Sequence, residues 1–409
     1  MEFIKLVVNC LELIVYVYLG LAAVYIFIFA FLGIFPYRRK VQPTANLRKM
    51  AVLIPGYKED TVILEVAEAS LNQTYPSESF DVVVIADSFQ PETIAALKKM
   101  PIKVIEVVFE KSTKSKALNA AMAAIGDDYQ VAVVLDADNI MAPDFLYKIN
   151  QAFESGFIAV QGHRMAKNMN TTMALLDSVS EEINNHIFRK GHRVAGLSSA
   201  LIGSGMAFQY DLFKKRMTEI KAIGGFDKEL ELTMLRDRIK IEYLDDALVL
   251  DEKVQKQAVF ENQRRRWLSA QFVYFRRFAL DGLIQFLTRF NIDYLDKVYQ
   301  MIQPPRILLL GIMTILTAIM GAASLINYMW TSEFLALSFL CWFVVWILTV
   351  LAFAFSVNRK FYTKQTLLAL LTLPMGFWLM FRSLFKLKGA NKTFIHTQHG
   401  VTENKSNQK

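Results

Sequence analysis

Three long uncharged stretches dominate the pattern of hydrophobic and polar positions along the chain. Residues 13–37, 307–332 and 334–358 each run for 25 or 26 residues without a charged side chain. An α-helix needs about 20 apolar residues to cross the hydrocarbon layer of a membrane, so the three stretches are predicted to be transmembrane helices. A fourth stretch, 365–381, has 17 uncharged residues that include a proline and a glycine. Both a distorted crossing and a position at the interface stay open for it.

Between the first and second stretches, the chain alternates short apolar runs with amphipathic segments. Four runs rich in β-branched residues occupy positions 51–55, 81–86, 102–109 and 130–135. Their length and composition are typical of buried strands, and helical patterns separate them. The alternation predicts a doubly wound α/β sheet with parallel strands. In such a sheet, ligands bind at the carboxyl ends of the strands.

Basic residues beside the apolar stretches predict how the chain is oriented in a membrane. Six of them flank the first and third stretches directly: Arg38, Arg39, Lys40, Arg359, Lys360 and Lys364. Lysine and arginine accumulate on the cytoplasmic side, so the polar middle is predicted to be cytoplasmic, in a multi-pass protein of the cell membrane. A fourth crossing would place the basic residues near the C-terminus outside. A fourth segment that does not cross removes this conflict.

These patterns divide the chain into five predicted parts. They are an N-terminal transmembrane helix with its basic flank at 1–40, a cytoplasmic α/β domain at 41–280, amphipathic interface helices at 281–305, C-terminal transmembrane segments at 306–388 and a polar tail at 389–409.

The composition agrees with a membrane protein, because 54% of the residues are hydrophobic and 21% are charged. This balance disfavours a disordered chain and an ordinary cytosolic enzyme. The net charge of +8 suits anionic lipid headgroups or a phosphorylated substrate as readily as nucleic acid. The two cysteines, Cys10 and Cys341, lie far apart in apolar stretches, so neither a disulfide framework nor a cysteine zinc site is predicted.

Acidic residues follow two of the predicted strands. Asp87 follows the second strand, and Asp136 and Asp138 follow the fourth. The carboxyl ends of these strands are expected to meet at one edge of the sheet. Carboxylate oxygens there suit Mg²⁺ or Mn²⁺ together with phosphate oxygens. Aspartate is also common at strand ends as a turn former or helix cap, so the D-x-D pair alone leaves a structural role open.

A second polar cluster has the sequence Gln-Arg-Arg-Arg-Trp at positions 263–267. Arginine matches phosphate oxygens with paired donors, and an indole face can stack on a sugar. A basic helix that faces the membrane is the structural alternative. The sequence contains neither a G-x-x-x-x-G-K-[ST] loop nor a G-x-G-x-x-G segment after the first strand, which disfavours P-loop hydrolysis and simple dehydrogenases.

Taken in order, these segments resemble the membrane-embedded family 2 glycosyltransferases, the relatives of cellulose, chitin, hyaluronan and poly-N-acetylglucosamine synthases. The resemblance spans about residues 50–270 and the flanking apolar stretches. It implies a GT-A-like α/β fold, with a mixed, mostly parallel sheet flanked by transmembrane helices. It also implies a UDP-sugar donor, a glycan or lipid acceptor, Mg²⁺ or Mn²⁺ as cofactor, and contact with membrane lipids but not with nucleic acid.

The resemblance assigns roles through the motifs P-x-Y-x-E, K-x-x-A-L-N, D-x-D and Q-x-x-R-W. The residues that it places at the donor are Pro55, Tyr57, Glu59, Asp87, Lys114, Asp136, Asp138 and Arg266. Asp136 and Asp138 would hold the metal ion, with Asp138 as the more direct ligand. The residues that it places at the acceptor are Gly203, Ser204, Gly205, Gln263 and Trp267.

The catalytic base is where the chain departs from the family pattern. The family has Glu-Asp ahead of D-x-x-L, whereas this chain reads Asp-Lys-Glu-Leu-Glu-Leu-Thr from Asp227. Glu229 falls on the base position, and Glu231 and Asp237 stay open as alternatives. A glutamate can abstract the same proton, although its carboxylate lies about one bond length further out. A helix cap or a surface charge is the structural alternative for Glu229.

The resemblance implies an inverting hexosyltransferase that moves a sugar from a UDP-sugar to an acceptor at the cytoplasmic face. Q-x-x-R-W beside transmembrane helices resembles the processive polysaccharide synthases. Three or four apolar segments are few to enclose an export channel within one chain. Either a homo-oligomer or an export partner would form the channel, or the acceptor would be a membrane lipid. The alternatives are a non-processive transferase that makes a glycolipid or polyprenyl-phosphate sugar, and a non-catalytic membrane protein that binds a nucleotide sugar.

Overall fold

The centre of the polar part is a mixed sheet that contains eight strands among the described residues. The computed structural model describes residues 2–37, 46–220, 222, 224–253, 255, 257–330 and 337–385. The strands are β1 (Met50–Tyr57), β2 (Phe80–Asp87), β3 (Lys103–Val107), β4 (Val131–Val134), β5 (Ile140–Met141), β6 (Ala159–Ala166), β7 (Met206–Gln209) and β8 (Glu242–Asp251).

The order of the strands across the sheet is β3-β2-β1-β4-β7-β6-β8-β5. Strands run parallel at β3-β2, β2-β1, β1-β4 and β6-β8, and antiparallel at β4-β7, β7-β6 and β8-β5. The first four strands coincide with the four apolar runs of the sequence, so their prediction is confirmed. The antiparallel strands β5 and β7 are only two and four residues long. Neither carries an apolar run long enough to be predicted.

Two apolar layers cover the two faces of the sheet. Val52 and Ile54 of β1 point into one layer, and Ala51 and Leu53 point into the other, as the alternation of side chains along a strand requires. Both layers are closed to solvent, because helices pack on each face. This double burial is why the first strands read as continuous apolar runs rather than as alternating patterns.

The described residues form fifteen α-helices, with a π-helix (Asn185–Gly191) inserted between the sixth and seventh. The α-helices are α1 (Glu2–Leu32), α2 (Ile63–Leu71), α3 (Pro91–Leu97), α4 (Lys114–Ile125), α5 (Phe145–Glu154), α6 (Thr172–Asn184), α7 (His192–Val194), α8 (Tyr210–Glu219), α9 (Phe226–Arg236), α10 (Gln257–Arg289), α11 (Ile292–Gln300), α12 (Arg306–Trp330), α13 (Phe339–Ser356), α14 (Lys364–Leu370) and α15 (Leu373–Leu384). Two 3₁₀-helices occupy Ser77–Ser79 and Arg359–Phe361.

Three of these helices are long and apolar enough to cross a membrane: α1, the Arg306–Leu325 part of α12, and α13. They coincide with the three apolar stretches of the sequence. Helices α14 and α15 are bent by 45° at the break between them, and the pair would count as a fourth span if it acts as one. The number of crossings and their sidedness stay predictions.

Helix α1 packs directly on the polar domain through the π-helix. A Cβ atom on Gly191 would lie 2.1 Å from the carbonyl oxygen of Phe29, so only glycine permits this approach. Next to it, a ring nitrogen of His186 lies 2.8 Å from the carbonyl oxygen of Ala30. The first apolar helix is therefore docked on the same element that continues α6 of the α/β domain.

Helix α10 crosses the predicted boundary between the α/β domain and the interface helices. The sequence analysis ends the α/β domain at residue 280, but α10 continues as one helix from Gln257 to Arg289. The glycine inside it, Gly282, lies against Val298 of α11 without interrupting the helix. The five-part division itself stays a prediction.

Some predicted features lie outside the described residues. They are the basic flank Arg38, Arg39 and Lys40, the basic residues beyond position 385 and the polar tail 389–409.

A buried ion pair joins α9 to α11. Lys297 Nζ lies 2.7 Å from Glu231 Oε1, and the two side chains are 6% and 2% exposed. Burial raises the pKa of Glu231 and lowers that of Lys297, and the attraction between the two charges opposes both shifts. The backbone N–H of Leu201 donates to the second oxygen of Glu231 at 3.2 Å. Glu231 is thus held by structural contacts.

We expect Lys297→Met to lower the free energy of unfolding by about 3–5 kcal/mol, because it leaves a buried carboxylate without its cation. Thermal unfolding of the purified protein in detergent measures the loss. The double variant Glu231→Gln/Lys297→Met is the control, and it should recover most of the stability. A single variant as stable as the wild type would show that the pair contributes nothing.

Candidate functional site

Three aspartates meet at the carboxyl edge of the sheet. Asp136 and Asp138 lie in the turn between β4 and β5, and Asp251 is the last residue of β8. One carboxylate oxygen from each lies within 4.8 Å of the others. Asp138 and Asp251 are buried, whereas the Asp136 side chain is 35% exposed. Three oxygen ligands at this spacing fit a hard divalent cation.

Asn139 fixes the orientation of two of these carboxylates. Its side-chain nitrogen donates to Asp138 Oδ1 at 3.1 Å and to Asp251 Oδ1 at 3.0 Å. Its side-chain oxygen accepts from the backbone N–H of Asp136 at 3.3 Å. The backbone N–H of Glu252 donates to the second oxygen of Asp138 at 3.2 Å. The cluster is therefore organised before any ligand binds.

Two buried basic side chains, Arg164 and Lys253, balance the negative charge of the acidic cluster. Arg164 lies 3.4 Å from Asp251 and 3.8 Å from Asp136, and it donates two hydrogen bonds to Glu181. Lys253 contacts Glu181 and lies 2.8 Å from Asp251. Burial alone lowers the pKa of Arg164 and of Lys253, but the surrounding carboxylates outweigh it, so that both pKa values are raised. Both side chains stay charged at neutral pH.

Lys114 connects the acidic cluster to the glycine-rich loop before β7. It is the first residue of α4, and its Nζ contacts Asp136 and donates to the carbonyl oxygen of Gly203 at 2.7 Å. Gly203 has a φ of +86°, which favours glycine. The structure thus brings together three predicted site residues from separate parts of the chain.

The first two strands end side by side at the same edge. Tyr57 and Asp87 are register partners, and Asp87 is 2% exposed. The next residues, Lys58 and Ser88, have positive φ values of 55° and 61°, a strained conformation for residues other than glycine. Glu59 follows and is 6% exposed. Strained backbone is common at ligand-binding sites, so these positive φ values agree with ligand binding at this edge of the sheet.

Three other predicted residues have structural contacts in or near the sheet. Pro55 lies within β1, opposite Ile85 of β2. The hydroxyl of Ser204 accepts a hydrogen bond from Arg164 at 3.3 Å, and the carbonyl oxygen of Gly205 accepts one from the backbone N–H of Gly162 at 2.7 Å. The glycine-rich loop before β7 thus lies against Arg164, whose charge balances the acidic cluster.

Helix α9 places Asp227 and Glu229 on different sides. Residues two apart on a helix do not share a face. Asp227 lies beside the loop, with its carboxylate carbon 3.7 Å from the position of a Cβ on Gly203. Glu229 is buried on the other side, where Arg277 donates to it at 2.5 Å. Asp227 therefore lies beside the loop whose Gly203 carbonyl oxygen binds Lys114.

The two alternatives for the base also have partners of their own. Glu231 is paired with Lys297, as described above, and Asp237 contacts Arg216 near the end of α9. The Asp237 side chain is 47% exposed. Glu231 shares a helix face with Asp227, four residues earlier, but its carboxylate is occupied by Lys297 and by the backbone N–H of Leu201.

The Q-x-x-R-W segment lies in the first half of α10, where it contacts α6. Arg264 forms an ion pair with Asp177, and its guanidinium lies 4.5 Å from the centre of the Trp267 ring. Asp177 lies one helical turn before Glu181, and Glu181 pairs with Arg164 and Lys253 beside the acidic cluster. Burial lowers the pKa of Arg266. Gln263, Arg266 and Trp267 all lie on this helix.

The sequence analysis missed Asp227, Asp251, Arg164 and Lys253. Asp251 had a signal, because it ends an apolar run as Asp87 and Asp136 do. Arg164 and Lys253 had none, since an isolated basic residue becomes informative only when folding surrounds it with carboxylates.

Comparison with known proteins identifies the family. A model described as "Glycosyltransferase like family 2" matches residues 48–270. The chain belongs to this family. The match spans β1 to β8 and the first part of α10, so it contains all three aspartates of the cluster. The mixed α/β sheet is consistent with the GT-A-like fold that the sequence predicts.

Individual relatives of this family 2 member are distant. The chain is 25% identical over 240 residues to the probable glycosyltransferase YdaM of Bacillus subtilis (strain 168), which covers 54% of this chain and 55% of YdaM. The chain thus spans about half the length of that relative. The prediction of a family 2 glycosyltransferase is confirmed for the family, and the resemblance to polysaccharide synthases stays a prediction.

Two solved structures of similar chains carry nucleotides. One is the mannosyltransferase PcManGT from Pyrobaculum calidifontis in complex with GDP-Man and Mn²⁺, with 15% identity, a TM-score of 0.45, and coverage of 82% of this chain and 97% of that chain. The other is glucosyl-3-phosphoglycerate synthase from Mycobacterium tuberculosis in complex with Mn²⁺, UDP and glucosyl-3-phosphoglycerate, with 15% identity, a TM-score of 0.40, and coverage of 57% and 84%.

Proposed function

We propose that this protein transfers a sugar from a UDP-sugar to a glycan or lipid acceptor at the cytoplasmic face of the cell membrane, with inversion at the anomeric carbon. The observation that carries the proposal is the cluster of three aspartates beside Lys114 at the carboxyl edge of the sheet. This arrangement, in a member of glycosyltransferase family 2, suits a donor that carries a diphosphate.

Asp136, Asp138 and Asp251 would hold Mg²⁺ or Mn²⁺, since their oxygens lie close enough together to share one ion. A bound cation supplies a Lewis acid that stabilises negative charge on the diphosphate. Lys114, which contacts Asp136 and starts α4, would add a second positive charge. The end of β1 and β2, with Tyr57 and Asp87, would hold the nucleoside.

We propose Asp227 as the catalytic base in place of Glu229. Its carboxylate lies next to the loop that carries Gly203, whose carbonyl oxygen binds Lys114. From there, Asp227 can accept the proton of an acceptor hydroxyl as that hydroxyl attacks the anomeric carbon. The Arg277 contact holds Glu229 on the opposite side of α9, which argues against its role as base.

Arg266 and Trp267 would close the site from α10. A partly buried guanidinium such as that of Arg266 donates strongly to phosphate oxygens, and the Trp267 ring, 38% exposed, offers a flat surface for the acceptor sugar. The contact of Arg264 with Asp177 joins this helix to α6. Gln263, Ser204 and Gly205 would complete the acceptor side.

A lipid-linked acceptor is a second candidate, favoured by the small number of apolar helices. With three or up to four candidate spans within the described part of the chain, a single chain has few helices to enclose a polymer channel. Processive synthesis would then need a second copy or an export partner. Product size separates the two: a ladder of lengthening glycans indicates processive synthesis, and a single lipid-soluble species indicates one transfer.

The proposed function is tested by incubating the purified protein, in detergent or nanodiscs, with a panel of UDP-sugars and Mg²⁺ or Mn²⁺. We expect UDP release with at least one sugar, only in the presence of a divalent cation. UDP binding without UDP release would instead support a non-catalytic nucleotide-sugar-binding protein.

A further inference from the structure

A cavity of about 410 Å³ lies between α8, α9 and α10. Three basic and three acidic residues line it, together with three uncharged ones: Arg216, Arg236, Arg277, Glu219, Glu229, Asp281, Ile220, Thr233 and Phe278. Ion pairs connect opposite charges in the wall, such as Arg236 with Asp281 at 3.2 Å. Because the charges balance, the lining does not favour a strongly charged ligand such as inorganic phosphate.

The wall contains buried polar atoms that have no hydrogen-bond partner within the described residues. Glu229 is 2% exposed, and its Oε1 accepts from Arg277, whereas its Oε2 is buried without a partner. The Nε of Arg216 is in the same condition. Buried polar groups are nearly always satisfied in folded proteins. A ligand that both donates and accepts hydrogen bonds would satisfy both atoms.

The cavity is separate from the acidic cluster. Glu229, Thr233 and Arg236 are spaced four and three residues apart, so they form one face of α9. Asp227 belongs to the other side, next to Gly203. None of the three aspartates of the cluster lines the cavity. A ligand here would therefore not occupy the donor site.

We propose that this cavity binds an uncharged segment of the acceptor or product glycan, away from the sugars that react. Sugar hydroxyls donate to carboxylates and accept from guanidinium groups, so they match a lining with both in equal number. Phe278, which is 6% exposed, adds an apolar part to the lining. The inference rests on the proposed transfer to a glycan, and it assigns Glu229 and Arg277 to glycan binding.

The test measures binding of neutral hexasaccharides of glucose, N-acetylglucosamine, mannose and galactose to the full chain in detergent, by calorimetry. Arg277→Gln is compared with its neighbour Arg276→Gln, which changes an exposed arginine that does not line the cavity. We expect at least one hexasaccharide to bind the wild type and Arg276→Gln equally, and Arg277→Gln at least tenfold more weakly. Phe278→Leu, which keeps an apolar side chain but removes the ring, should also weaken binding.

The inference is overturned if none of the hexasaccharides binds, if both cavity variants bind as the wild type does, or if free nucleotide displaces the glycan. UDP binding is measured on every variant and should not change. UDP release from a UDP-sugar in the same preparations tests the proposed function separately. Glycan binding without UDP release would refute the transferase and support the cavity site. UDP release without glycan binding would support the transferase and refute the cavity site.

Discussion

Asp227→Asn is expected to lower the turnover of sugar transfer by about 10²- to 10⁴-fold, the usual contribution of a positioned general base. The change keeps the size of the side chain and removes its ability to take a proton. UDP-sugar affinity should stay the same, because the D-x-D pair and Lys114 are untouched. Turnover is measured as UDP release at saturating donor and acceptor, and affinity by calorimetry with UDP.

Glu229→Gln is the matched comparison, since it makes the same chemical change two residues along α9. The Glu229 carboxylate is held by Arg277 on the other side of the helix, so we expect a far smaller loss of turnover at saturating acceptor. If Glu229→Gln loses turnover and Asp227→Asn keeps it, the base is Glu229, as the motif alone predicts.

Asp138→Ala should lower turnover by about 10²- to 10³-fold, because it removes a stabilising contact with the charge that develops on the leaving diphosphate. It should also weaken Mn²⁺ binding, which electron paramagnetic resonance measures without any substrate. Asp138 is 4% exposed and is hydrogen-bonded by Asn139 and Glu252, so its carboxylate is held toward the cluster. Asp251→Asn should weaken Mn²⁺ binding as well.

Asp144→Ala controls for the loss of a nearby acid. Asp144 precedes α5 and pairs with Lys148, and its side chain is 49% exposed. We expect it to keep both turnover and Mn²⁺ affinity. An Asp138→Ala variant that retains more than about a tenth of the wild-type turnover would remove the metal role from this residue.

Strands β1, β2 and β4 were predictable because they are buried on both faces. Residues such as Val52, Ile54 and Val83 are fully buried. Because every position of such a strand is covered, the strand appears in the sequence as a continuous apolar run. The short strands β5 and β7 follow no such pattern. They form because neighbouring strands offer backbone partners, which is a property of the assembled sheet.

The identity of the base stays a prediction, because a motif gives the spacing of acidic residues but not the direction in which their side chains point. Helix α9 carries three acidic residues, Asp227, Glu229 and Glu231, and a fourth, Asp237, caps its C-terminal end. Each could serve the chemistry when only the sequence is known. The helix turns by about 100° per residue, and its docking on the loop and on α10 sends Asp227 one way and Glu229 the other.

The sequence alone determined that this protein combines apolar helices with an α/β domain whose strands end in carboxylates, since burial and strand-end acidic residues leave direct traces in residue order. It also determined the D-x-D pair, because both residues lie in one turn. Only the tertiary structure decided that Asp251 joins the pair, that Arg164 and Lys253 balance its charge, and that Asp227 faces the loop. Asp251 lies more than 100 positions from Asp136 and Asp138, Arg164 reaches the cluster from a different strand, and the direction of Asp227 depends on the rotation of a helix, so none of these is encoded in a local pattern.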